Sequence, residues 1–424
     1  MSDFSTILSD ESTESGEELC PDLDLTVPVI HPAAFHGPAG DFVQALDPHT
    51  EADPVAVLIH VLLFFGVDVG RGPHIIVDGA RHGTNEFAVV VGVSGKARKG
   101  TSEARTRETF TWSGGDLVSK RIKGGLSSGE GLIYEIRDPI EAVGPDGDLK
   151  IVDEGVEDKR LLAIEPEFGG LLKVIERDGN SLSAVLRMAW DGNKLSPLTK
   201  GNRIQSTEPH VALLGHTTKE ELLRRFSGTE ANNGFGNRIL WVFARRSKFL
   251  PEGGDFRGQE FFGKAFGEIR DWASNVGLMK RSDAFRAAWN DIYRDLSDGR
   301  PGLAGALTNR QEAHALRLSI IYALLDRSDT LDLPHLSAAL AITSYVRETV
   351  EWIFGRKQTD PTSAKILEFL SKGPKTQTEI NHFLSKNKSS TEIENILKSL
   401  VDAGQIACKQ EPTAGRPRNL WFVR

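Results

Sequence analysis

The densest apolar stretch of the chain is Val55–Val67, broken once by His60. A bilayer span needs about 20 apolar residues, so this stretch predicts a buried helix within a helical region Ala39–Gly70. Short β-branched runs follow at His74–Val77, Glu86–Val93, Arg160–Ile164, His210–Leu214 and Arg238–Ala244, and Leu132–Ile136 is also strand-like. The last three core runs each end on a polar residue, and helical stretches separate some of them. That alternation predicts an α/β layer with a largely parallel sheet. From 256 to 355 the apolar residues take helical spacing, clearest in Ala313–Leu325 and Leu336–Val350. Turn-rich breaks at Pro251–Asp255 and Gly355–Pro361 bound that block.

The last segment has a third pattern. Helices are predicted at Ser363–Leu370, Gln377–Leu384 and Thr391–Ala403, then strands at Gln405–Glu411 and Leu420–Val423 joined by a TAGRPR tip. This order is that of a winged helix-turn-helix. The division expected is an acidic tail 1–28, a helical region 29–83, a core 84–250, a helical block 256–355 and a winged helix 361–424.

Charge changes the picture locally. The net charge is −8, yet no Lys or Arg precedes Arg71, and Asp3, Asp10, Glu11, Glu14, Glu17, Glu18, Asp22 and Asp24 crowd the start. Without that tail the chain is close to neutral. Basic residues then gather in two places, as a DNA footprint requires. Lys194, Lys200 and Arg203 lie in a turn-rich hairpin, Asp191–Arg203. Lys388, Lys398, Arg416 and Arg418 lie on the third helix and wing of the last segment. The two cysteines, Cys20 and Cys408, make neither a disulfide framework nor a metal site. They suit a cytoplasmic protein, as does the lack of a secretory signal pattern.

The candidate chemistry begins where the first core strand ends. GVSGKARKGTS, Gly92–Ser102, is a small-residue loop whose amides can wrap phosphate oxygens. Gly92, Ser94, Gly95, Arg98 and Gly100 shape it, Lys99 supplies the cation, and Thr101 or Ser102 the hydroxyl for Mg²⁺. The next core strand ends in Glu165-Pro166-Glu167. Glu165 is the candidate on the metal side with Thr101, and Glu167 the candidate for orienting water. A third strand ends in His216 and Thr217, placed to contact a γ-phosphate. Arg238 opens the following strand. A G-x-S-x-G match at Ser127 lacks the buried strand that such an elbow needs.

HPAAFHGPAGDFV, the GVSGKARKGTS loop, GLSSGEGLIYEIRDP, AIEPEF, GNRILWVF and RLSIIYALLDRSDTLDLPHLSAALA together resemble a helicase-like P-loop ATPase family of actinobacterial, phage and plasmid replication modules. The resemblance covers about residues 30–355. It implies a RecA/AAA+-like core, ATP and Mg²⁺, a homo-oligomer (a hexamer above all), DNA and a primase as partners, and no membrane. TNRQEAHALRLSIIYALLDRSDTLDLPHLSAAL is similar to the lid helices of minichromosome-maintenance helicases. By that similarity Arg310 or Arg317 is a sensor and Arg238 an arginine finger toward a neighbouring subunit. The sequence departs from the pattern in two places. Gly100 separates Lys99 from Thr101, and Pro166 stands where such ATPases usually carry Asp. The alternative is a nucleotide-binding, non-hydrolysing DNA-binding initiator or regulator.

Overall fold

The apolar run forms helix α2 (Pro54–Val69), preceded by α1 (Gly37–Leu46). Pro54 is pre-set for the first turn, the Asp53 carboxylate accepts from the Val55 amide, and Gly70, at φ 81°, ends the helix. Every residue from Val55 to Val69 is buried, so α2 is enclosed on all sides. The structure is a computed structural model. It describes residues 27–93, 97–143, 148–197, 204–226, 230–231, 233–299, 302–355, 361–384, 390–402, 406–411 and 418–423.

Five parallel strands form the main sheet: β1 (Phe87–Gly92), β2 (Ile122–Lys123), β3 (Arg160–Glu165), β4 (His210–Thr218) and β5 (Ile239–Ala244). Their order is β2-β3-β4-β1-β5. β1 and β5 are buried along their whole length, as continuous apolar runs in a covered parallel sheet should be. The second strand departs from expectation. Leu132–Ile136 lies in and just after a short helix, α4 (Gly129–Tyr134), with Leu132, Ile133 and Ile136 buried. The strand before β3 is instead β2, two residues from a polar segment. It sits at the sheet edge and pairs only with β3.

The connections explain where a site can form. β1 leads into α3 (Lys99–Phe110), which packs on α2. β3 leads into α5 (Phe168–Ile175) and α6 (Leu182–Trp190), and β4 into α7 (Lys219–Arg225). On β4, His216 meets His60 of α2, whereas Thr217 meets Glu221 of α7. Adjacent strand residues face opposite sides, so α2 and α7 cover opposite faces. The chain therefore leaves the neighbours β1 and β4 in opposite directions, opening a crevice at their carboxyl ends.

Helices α8 (Gln259–Ala273), α9 (Asp283–Ser297), α10 (Gly302–Thr308), α11 (Gln311–Leu325) and α12 (Leu333–Phe354) follow. They do not pack as a separate body. One hydrophobic cluster runs from Ala34 to Phe354, and α11 is buried from Ala313 to Leu325. α12 covers the outer strand, with Tyr345 donating to the Phe243 carbonyl at 2.9 Å and Thr349 accepting the Phe243 amide at 3.3 Å.

The C-terminal unit has its own small core around Ile366, Ile380, Ile393, Leu397 and Ile406. It comprises α13 (Pro361–Ser371), β6 (Lys375–Thr376), α14 (Gln377–Phe383), α15 (Ser390–Asp402), β7 (Ile406–Glu411) and β8 (Arg418–Val423). The strands form an antiparallel sheet in the order β6-β8-β7. Thr376 and Glu379 make a reciprocal capping box on α14. No helix among the described residues is long and apolar enough to cross a membrane.

Candidate functional site

β1 ends at Gly92, level with Thr218 of β4 and Ala244 of β5. Ser94 and Gly95 lie outside the described residues. The chain re-enters at buried Ala97, and Arg98 takes the left-handed conformation at φ 56°. Lys99 is then the first residue of α3, so the cation stands at a helix N-terminus. A Cβ added to Gly100 would meet nothing within 4 Å among the described residues, so on that side the approach to that first turn is open. The hydroxyls differ. Ser102 is buried and donates to the Lys99 carbonyl at 2.6 Å. Thr101 faces a cleft of about 260 Å³ shared with Glu51, Arg98, Arg105 and Gly254. Arg98 is turned away from the loop to an ion pair with Glu51 at 2.6 Å.

The acidic turn splits its two carboxylates. Glu165 is buried, and its Oε1 accepts the Leu126 amide at 2.7 Å. Burial raises its pKa, against the lowering effect of the Leu126 and Gly125 amides. Glu165 thus fastens the loop after β2 to the end of β3. Glu167 is exposed at the N-cap of α5, and its side chain makes no capping bond. α5 begins at once because Gly169 lets another acid approach: a Cβ there would lie 2.2 Å from Glu221 Oε1.

Glu221 is the residue that the sequence reading missed. It accepts from Thr217 Oγ1 at 3.3 Å, and its charge acts on Lys99. Burial lowers the Lys99 pKa and Glu221 opposes that shift. Lys99, His216, Thr217 and Glu221 therefore gather at the carboxyl ends of β1 and β4, and Glu165 and Glu167 lie at the end of the adjacent strand β3. Thr218-Lys219-Glu220-Glu221 has capping spacing, and Thr218 does accept the Glu221 amide at 3.3 Å. That spacing hides the second use of the Glu221 carboxylate.

The three arginines read as finger and sensors lie at the opposite edge. Arg238 directly precedes Ile239, which is level with Phe87 at the start of β1. The length of the strand Phe87–Gly92 separates that level from Gly92, about 17 Å. Arg238 is held by Asp191 at 2.8 and 3.3 Å and donates to the Gly234 carbonyl at 2.6 Å. Arg317 is 2% exposed. It lies 3.6 Å over the Trp190 ring and donates to the carbonyls of Asn85 and Trp190. Burial takes its pKa down to about 10. In this arrangement Arg317 is an internal brace and has no surface from which to reach another subunit. Arg310 keeps a more open position, 3.7 Å from Asp191 and with 35% of its side chain exposed.

The basic segments are only partly visible. Leu195 and Ser206 exchange backbone bonds at 2.9 and 2.8 Å, which makes the base of the predicted hairpin. Lys194 is exposed there, while Lys200 and Arg203 lie outside the described residues. A second hairpin, Ile140–Val143 with Leu149–Asp153, was not predicted. It shares the same root: Asp138 donates its amide to the Gln205 carbonyl at 2.8 Å and accepts the Thr207 amide at 3.0 Å. Its Gly-Pro-Asp-Gly sequence at 144–147 is the turn signal that could have found it. In the C-terminal unit, Lys398 is exposed on α15, and Lys388 and Arg416 lie outside the described residues. Arg418 opens strand β8 rather than sitting on the tip, and pairs with Glu411 at 2.9 Å.

His36, Asp326 and His335 converge closely enough to suggest a metal site. Protonation argues otherwise. The Asp332 amide donates to His335 Nδ1 at 2.9 Å, so a neutral His335 carries its proton on Nε2, 3.2 Å from Asp326. A protonated nitrogen is no ligand. The cluster instead ties the N-terminal segment to the start of α12. No family model matches the sequence, and no curated protein matches it.

Proposed function

We propose that this protein is an ATP- and Mg²⁺-dependent ATPase of the DNA helicase or translocase type, with a RecA/AAA+-like P-loop core and a C-terminal winged helix. One observation carries the reading: Lys99 opens a helix after the carboxyl end of β1, where Glu221, at the carboxyl end of the neighbouring β4, acts on it. A helix N-terminus with an adjacent lysine favours phosphate groups. The open approach at Gly100 fits a bound triphosphate. Lys99 would hold the phosphates, Thr101 and Glu165 would hold the Mg²⁺, and Glu167 would orient the attacking water. The metal would supply neutralisation of charge developing on the phosphoryl oxygens. Arg310, with 35% of its side chain exposed at the opposite edge, is the arginine with which a ring could serve the site of a neighbouring copy, whereas Arg238, read as the finger, is held by Asp191 and Gly234. A hexamer acting on DNA in the cytoplasm, with a primase as partner, completes the reading by resemblance.

A non-hydrolysing initiator or regulator is the second reading. It is favoured by the buried Glu165, whose carboxylate already accepts a backbone amide, and by Ser102, whose hydroxyl is engaged inside the helix. DNA-stimulated ATP turnover separates the two. The first reading expects turnover that Lys99→Ala lowers by about 100-fold or more. Tight DNA and nucleotide binding without turnover would overturn it in favour of the second.

A further inference from the structure

The single polar break in the apolar run Val55–Val67 of α2 is His60, and it is fully buried. Its Nδ1 meets the carbonyl oxygen of Ala56, one turn earlier. A carbonyl only accepts, so Nδ1 bears the proton. Its Nε2 lies 3.0 Å from Nε2 of His216 on β4. One of these two nitrogens must donate, and a neutral His60 has no second proton. The donor is therefore His216 Nε2–H, which leaves His216 Nδ1 as a bare acceptor. Burial supports the neutral state of both rings, lowering His60 to about 4 and His216 to about 3. His216 Nδ1 makes no hydrogen bond among the described residues, and the nearby charge that acts on His216 is Lys99.

We propose that His60 is a positioning residue that locks His216 in the Nε2–H tautomer, so that His216 offers an acceptor to a donor beside Lys99. The donor it takes is the Lys99 ammonium or a water held next to it. A phosphate oxygen is itself an acceptor and is excluded from Nδ1. His216 is thereby reassigned from a γ-phosphate contact to a group that orients a donor. The same burial makes His216 a poor base near neutrality, so it orients rather than removes a proton. This function rests on the ATPase reading; the tautomer does not.

The test uses the full chain labelled with ¹⁵N-histidine. Long-range ¹H–¹⁵N spectra at pH 7 should show His216 protonated at Nε2 and His60 at Nδ1. A His216 protonated at Nδ1 overturns the proposal whatever the enzyme does. His60→Leu should abolish the single tautomer of His216, whereas His60→Gln, with an amide oxygen to accept from Nε2–H, should keep it. In ATP turnover, His60→Leu should lower kcat about tenfold with KM nearly unchanged, the equivalent of one buried hydrogen bond. His60→Gln should restore kcat to within about threefold of wild type. Equal loss in both variants, or a loss confined to KM, overturns the positioning role. Wild-type protein that shows the expected tautomers but no ATP turnover would sink the ATPase reading, and with it the role assigned to His216 at that site, while leaving the tautomer lock standing.

Discussion

The two edges of the parallel sheet both hold charged groups and treat them differently. At the amino edge, Arg238 and Arg317 are tied into the fold: Asp191, the Trp190 ring and three backbone carbonyls engage them, and only Arg317 Nε is left without a partner among the described residues. At the carboxyl edge, Glu167 is exposed, Thr101 faces a cleft and the approach to Gly100 is open. A charge held on several sides by its neighbours serves the fold. A charge beside open space at converging strand ends is available for chemistry. The contrast also explains why arginine type and position alone misassigned Arg317: burial, which decides its role, is set by helices distant in sequence.

Acid offers the largest lever on this contrast, because it reaches both edges. Burial first of all holds His60, His82 and His210 down to about 4 and His216 to about 3. A histidine depressed in the folded state binds its proton more readily when unfolded. Stability from these groups is therefore fully present above pH 6.5 and is lost as pH falls toward 4. Urea unfolding at pH 7 and pH 5 should differ by several kcal/mol, on the order of 2 for each fully buried histidine. A flat profile over that range would contradict the burial of His60, His210 and His216.

Single substitutions should then separate the edges. Arg317→Met removes a buried cation and leaves the carbonyls of Asn85 and Trp190 short of a donor. It should destabilise the fold by about 3 kcal/mol in denaturant titration. Lys99→Met should shift stability by less than about 1 kcal/mol while nucleotide binding collapses, because Lys99 is only half-buried. Equal effects of these two changes on stability would erase the distinction between the edges. Arg418→Ala should move little: its exposed pair with Glu411 is worth under about 1 kcal/mol, and a calorimetric melt of the C-terminal unit should show it.

Much of the core is legible in sequence because it is written in runs. Val55–Val67, Glu86–Val93 and Arg238–Ala244 are long and apolar enough to declare themselves, and the structure places each close to its expected limits. β2 is not legible, since two residues at a sheet edge carry no periodicity. Leu132–Ile136 misleads because a short buried helix and a buried strand have the same apolar composition. At the site, Lys99 and Glu167 were found from local motifs. Glu221 and the His60–His216 contact were not, because pairing across 156 residues leaves no local trace.

The enclosure of α2 also sets a timetable for synthesis. Gly66 packs against Ile321, and Tyr322 of α11 bonds the Ala34 carbonyl. The ribosome makes α2 early, yet the helix that closes over it follows some 250 residues later. At about 5–20 residues per second, α2 stays without its cover for roughly 10 to 50 seconds. A nascent chain with so apolar a helix exposed is a natural client for chaperones that shield such segments. Chains released before Leu325, the end of α11, should accumulate as aggregates rather than as soluble fragments.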